Sequence, residues 1–127
     1  MIEIKFKIEE LPSDQSQPYS LVAGVEGVLT VVNDGETVFE EPGILLLELS
    51  QALTKWVDEV SSGKDVDFYY ASMDFEEEPI LTFTCSDTDS QYEVKSVWIK
   101  SESSSNRSEL IAASKSYVKD LDIAISG

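Results

Sequence analysis

Hydrophobic positions along this chain follow two periods, and the change from one to the other marks out the elements. Ile2, Ile4, Phe6 and Ile8 alternate with Glu3, Lys5, Lys7 and Glu9, the pattern of a strand with one buried and one wet face. From Leu21 to Val32 β-branched residues dominate, interrupted by Gly24 and Gly27, and glycine inside a strand predicts a bulge or a sharp bend. Asn33-Asp34-Gly35-Glu36 supplies the left-handed residues of a tight hairpin, with two-residue and three-residue loops both compatible. A short strand follows through Thr37, Val38 and Phe39.

Between Ile44 and Val60 the period becomes helical. Leu46, Leu49, Leu53, Trp56 and Val60 recur at alternating spacings of three and four and form one stripe, which Leu45, Ala52 and Val57 widen. Glu40-Glu41-Pro42-Gly43 is expected to open this helix, with proline in the first turn and the carboxylates near the positive end of the dipole. Ser61-Ser62-Gly63 is expected to close it. The predicted length is about nineteen residues, or roughly 28 Å.

Three more strand-like segments follow, Val66 to Met73, Ile80 to Cys85 and Tyr92 to Lys100. The acidic loop Asp74-Phe75-Glu76-Glu77-Glu78-Pro79 and the polar turn Ser86 to Ser90 join them, which predicts a meander with Leu81, Phe83 and Cys85 on one face. Ser101 to Ser105 reads as a surface loop. Asn106, with Glu109 three residues on, reads as a cap and reciprocal carboxylate. Leu110, Ala113, Tyr117, Leu121 and Ala124 then mark a second amphipathic helix, flanked by Ile111, Val118 and Ile125. Asp120 and Asp122 oppose the dipole at its end, so its last turn is expected to fray or to become a short strand. The order β-β-β-α-β-β-β-α predicts an α+β domain of two layers, an antiparallel sheet of about six strands with two helices on one face. Residues 1–127 are read as a single domain.

Charge changes the picture more than composition does. A hydrophobic fraction of 42% and an aromatic fraction of 9% are ordinary for a folded domain, whereas 9 basic against 25 acidic residues give a net charge of −16. Such a surface repels phosphate backbones and anionic headgroups, which argues against nucleic acid and membrane surfaces as partners, and its natural counterpart is a cationic protein or simply solubility. The N-terminal stretch has no apolar run of the length of a signal peptide or membrane span, and the one cysteine suits a reducing compartment, so the expected location is cytoplasmic.

Candidate chemistry is sparse. The chain has no histidine, which removes Ser-His-Asp and Cys-His nucleophiles and His-ligated zinc. Gly24 and Gly27 do not have the spacing of a phosphate loop. Cys85 shares a predicted strand face with Leu81 and Phe83 and reads as a buried, inert thiol. Asp65-Val66-Asp67 and Asp87-Thr88-Asp89 do not continue into a calcium loop and read as solvated turn residues. Among 25 acids some pair at glycosidase separation is expected by chance. Trp56 and Trp98 read as core residues. No cofactor, metal or catalytic residue is assigned, and the chain is read as a non-enzyme.

One geometric expectation is sharper. If strands alternate in direction, Glu40 and Glu41 before the first helix emerge at the same end as Asp74, Glu76, Glu77 and Glu78, with Phe75 as an apolar anchor among them. These residues form the candidate partner-binding edge for a cationic protein. In size, charge, element order and the loops Glu40-Glu41 and Asp74-Phe75-Glu76-Glu77-Glu78, the whole chain resembles the small acidic immunity proteins that bacteria encode beside polymorphic or contact-dependent toxins. The resemblance rests on architecture and charge rather than on a motif. It implies a cytoplasmic, non-enzymatic domain that neutralises a basic toxin by direct binding. A regulatory or scaffold domain shares these features, and a small carboxylate-dependent enzyme is the remaining alternative.

Overall fold

The computed structural model describes residues 2–11, 24–63, 66–71, 80–85, 91–96 and 103–126. Among the described residues the chain is α+β and antiparallel, with two helices of several turns, and its strands divide into two sheets. The first sheet, in the order β1-β2-β3, consists of β1 (Ile2–Glu10), β2 (Glu26–Asn33) and β3 (Glu36–Leu45). Helix α1 (Leu46–Ser61) leads to the second sheet, a meander of β4 (Phe68–Tyr70), β5 (Leu81–Cys85), β6 (Gln91–Lys95) and β7 (Ser103–Asn106), and α2 (Arg107–Ser126) ends the chain.

The alternation in β1 has the expected effect: Ile2 and Ile4 are buried while Glu3, Lys5, Lys7 and Glu9 are exposed. Asn33 pairs with Glu36 across the hairpin, so the loop has two residues, Asp34 with φ 53° and Gly35 with φ 82°. Gly27 lies where both of its ladders become irregular, beside shifts at Ile8/Glu10 and Gly27/Leu29. A Cβ there would stand 2.0 Å from the Lys7 carbonyl oxygen, so the close passage of β1 over β2 requires glycine. Gly24 precedes the strand instead of bending it.

One expectation is corrected at the start of α1. Glu40, Glu41, Pro42 and Gly43 belong to β3, and the helix begins only at Leu46, with its first N–H donating to the Val25 carbonyl at 3.0 Å. Pro42 and Gly43, the latter with φ 74°, stand together opposite Val28 between the pairs Gly27↔Ile44 and Leu29↔Glu41. They form a bulge on an outer strand, where a missing N–H is tolerated. At the other end the helix closes as expected, with the Gly63 N–H donating to the Val60 carbonyl at 3.2 Å.

The serine run is the second departure. Ser103–Asn106 is a seventh strand that pairs with β6 from Gln91↔Asn106 to Val94↔Ser103. Asn33 Nδ2 also holds it, donating to Ser103 Oγ at 2.8 Å and to the Ser104 carbonyl at 2.9 Å. Tertiary pairing here overrides weak strand propensity. Asn106 caps α2 by accepting from the Glu109 N–H at 2.8 Å, while the Glu109 carboxylate reaches Ser105 Oγ at 2.9 Å. The helix runs to Ser126 without an early break, although Ala124, assigned to its stripe, is exposed.

Both helices join the two sheets. α1 touches β2 and β4, and α2 touches α1, β1 and β7. Every residue of the stripe Leu46, Leu49, Leu53, Trp56 and Val60 is buried. Trp56 is the hub on the side of the second sheet: its ring lies edge-on to Phe83 at 5.2 Å, Tyr92 at 5.7 Å and Phe68 at 6.1 Å, and its Nε1–H donates to the Val66 carbonyl at 2.7 Å. On the other side Phe6 meets Tyr117 edge-on at 5.6 Å, and the Tyr117 hydroxyl donates to the Leu46 carbonyl at 2.6 Å. Cys85, expected in the core, is only half-buried. Trp98, Asp65, Asp87 and Asp89 lie outside the described residues.

Candidate functional site

The sheet β1-β2-β3 has two edges of different chemistry. Between Lys7 and Lys55 the sequence contains no lysine or arginine, so β2, β3 and their turn carry carboxylates and no basic side chain. β1 carries Lys5 and Lys7. On the wet face one row across the sheet reads Lys5, Thr30, Glu40, and the Glu40 carboxylate accepts from Thr30 Oγ1 at 2.9 Å.

Of the expected partner-binding residues, Glu40 and Glu41 are placed on β3, and Asp74, Phe75, Glu76, Glu77 and Glu78 lie outside the described residues. Glu40 and Glu41 do not act as one pair. Neighbours in a strand project to opposite faces: Glu40 is exposed on the wet face, and Glu41, opposite the buried Leu29, is half-buried on the helix side.

The hairpin end supplies carboxylates that sequence reading takes only as turn residues. Asn33, Asp34, Glu36, Thr37, Val38, Ser103 and Ser104 line a polar cleft of about 440 Å³ between the β2–β3 turn and β7. Within this lining Asn33 donates to Ser103 and Ser104. Its described lining has two carboxylates, several hydroxyl and carbonyl acceptors, and no cation. A lysine or arginine side chain entering from outside would meet acceptors throughout. Only the absence of basic residues between Lys7 and Lys55 could have pointed to this end of the sheet in advance.

Among the described residues every carboxylate is exposed or half-buried; the buried polar residues are Ser50, Thr82, Ser105 and Ser114. Ion pairs such as Lys5–Glu3 at 3.4 Å and Lys95–Glu93 at 3.6 Å are solvent-exposed and contribute little to stability. The Tyr117 hydroxyl lies far above the usual tyrosine range because burial disfavours the phenolate and the nearby Tyr70 adds repulsion. It faces the Leu46 carbonyl inside the core rather than a cleft. Among the described residues no group of three or more metal-ligating side chains occurs, and no helix is long and apolar enough to cross a membrane.

No curated protein and no solved structure matches the chain. A family model does match, over residues 2–127, and the chain belongs to the family described as Domain of unknown function (DUF7878).

Proposed function

We propose that this chain is a non-enzymatic binding domain that docks on a cationic protein, and that it acts as a bacterial immunity protein occluding a basic toxin domain in the cytoplasm. The observation that carries the reading is the distribution of charge: a net −16, with β2, β3 and their turn free of basic residues. The polar cleft at Asp34 and Glu36 and the exposed Glu40 give that charge a place to act. The acidic run Asp74 to Glu78, with Phe75 as anchor, is assigned to the same interface.

Steering by such a surface gives fast association that slows steeply with salt, since screening acts over about 8 Å at physiological ionic strength. The test uses a partner recovered by affinity capture from the producing cell, with association followed at low and moderate salt. Reversing Glu36 and Glu40 to lysine, and separately Glu76, Glu77 and Glu78, should slow association about tenfold or more while the circular dichroism spectrum stays unchanged. Co-expression of the wild-type chain should relieve the partner's toxicity. Unchanged rates and salt dependence in both variants would overturn the electrostatic reading, and a partner that is harmless alone would overturn the immunity role.

A further inference from the structure

A second groove lies on the opposite edge of the same sheet. Ile2, Glu3, Ile4 and Lys5 of β1 form one wall and Ala112, Ala113, Ser116 and Asp120 of α2 the other, around a volume of about 360 Å³. β1 is the terminal strand of its sheet, so among the described residues one row of its backbone N–H and C=O groups has no ladder partner. The helix wall is built mostly from short side chains, which leaves width beside the strand.

Charge identifies the occupant. β1 and α2 hold five of the nine basic residues and six of the 25 acidic ones, which leaves these two elements at −1 in a chain of −16. A strongly cationic partner has little to gain at a balanced edge. We propose that this edge is an interface between two copies of the chain, in which β1 pairs antiparallel with β1 of the second copy about a two-fold axis at Ile4.

The sequence of β1 selects that register. A two-fold at Ile4 sets Glu3 opposite the partner's Lys5, and Lys5 opposite the partner's Glu3, on the wet face. On the core face it sets Ile2 opposite the partner's Phe6. A two-fold at Phe6 would oppose Lys5 to the partner's Lys7 and Glu3 to the partner's Glu9, and directly opposed like charges destabilise a ladder. A two-fold at Lys5 would oppose Lys5 to the partner's Lys5, and a slip of the ladder by one residue would set isoleucines opposite charged residues. The groove itself runs along residues 2–5, the centre of the favoured register. Ile123, 60% exposed, lies on the same side of α2 about three turns beyond Ala112, where the second copy would cover it.

Sedimentation equilibrium at moderate salt tests the pairing over roughly 1 to 500 µM, the span in which an interface of modest area associates. The wild-type chain should dimerise in this range. Lys5→Glu should raise the dimer dissociation constant at least about tenfold, because two opposite-charge pairs become like-charge pairs. Lys7→Glu changes net charge equally but lies at the end of the ladder, and should leave the constant within about threefold of wild type. The double swap Glu3→Lys/Lys5→Glu restores both pairs and should restore the dimer. A chain that is monomeric throughout, equal effects of Lys5→Glu and Lys7→Glu, or a swap that fails to rescue while circular dichroism shows native folding would each overturn the proposal.

Discussion

Replacing Gly27 by Ala tests whether β1 approaches β2 at Lys7 to a distance that no side chain permits. The added Cβ would stand 2.0 Å from the Lys7 carbonyl oxygen and 2.9 Å from Leu46 Cδ1, where ordinary contacts between non-bonded heavy atoms lie near 3.5 Å. Leu46 could rotate. The Lys7 carbonyl is backbone, and moving it by more than about 1 Å opens the ladder at Lys7↔Val28 and Ile8↔Gly27. Overpacking a filled core costs about 1–3 kcal/mol, and each lost ladder bond costs about 1 kcal/mol more, so the sum is roughly 3–5 kcal/mol. Scaled to a chain of 127 residues, the unfolding entropy makes this a fall in Tm of about 11–19 °C. Gly35→Ala is the control: φ there is +82° but no described residue lies within 4 Å of the added Cβ, so backbone strain alone should cost about 1–2 kcal/mol. Thermal melts followed by circular dichroism compare the two. If Gly27→Ala melts no lower than Gly35→Ala, β1 does not run where the register places it.

The remaining predictions concern the core. Leu53, fully buried at the centre of the α1 stripe, should cost about 2–5 kcal/mol when truncated to Ala, and an unchanged Tm would contradict the packing of α1 on the sheets. Ser114 is fully buried and its Oγ has no hydrogen-bond partner among the described residues, so Ser114→Ala should raise stability by about 1 kcal/mol through lost desolvation cost and better helix propensity; a loss in denaturant titration would mean that the hydroxyl is satisfied. Tyr117→Phe removes the bond to the Leu46 carbonyl and should cost about 1 kcal/mol at neutral pH. Because the folded phenol titrates above its ordinary value of 10.0, its contribution is complete below pH 10 and is lost as pH rises beyond it. The wild type should then lose about 1.4 kcal/mol per pH unit relative to the variant, and parallel pH profiles would refute the buried, neutral phenol.

What the sequence made legible was whatever periodicity alone determines. Ile2 and Ile4, the stripe from Leu46 to Val60, and the Asn106 cap all stand where spacing puts them, because each follows from a local repeat facing one core. The two departures come from residues whose local preference is ambiguous. Pro42-Gly43 suits a helix start and an outer-strand bulge equally well. Only the pairing of β3 with Val28 and its neighbours on β2 decides for the bulge, and that information lies at long range. The serines of β7 have little preference of their own, and Asn33, seventy residues away from Ser103, helps to hold them in the sheet. The candidate site suffers from the same ambiguity. Glu40 and Glu41 are recognisable as acids, but the alternation of β3 sends them to opposite faces. Asp34 and Glu36 gain meaning only when β7 forms the far wall of their cleft.

The two proposed interfaces of the first sheet should respond to salt in opposite directions, and this follows from where the lysines are. At the β3 edge the proposed attraction to a cationic partner would act over the whole acidic surface, so screening should weaken it. At the β1 edge two copies of charge −16 repel at long range, while backbone hydrogen bonds and adjacent Glu–Lys pairs act only at contact. Raising salt from low to moderate concentration screens the long-range repulsion first, because contact pairs lie well inside the Debye length of about 8 Å. Self-association at β1 should therefore strengthen over the range in which capture of a cationic partner weakens. One chain can hold both proposed interfaces without conflict because β2 separates the balanced strand from the acidic one, and reversal of Glu36 and Glu40 on β3 should leave the proposed Glu3–Lys5 pairing on β1 untouched.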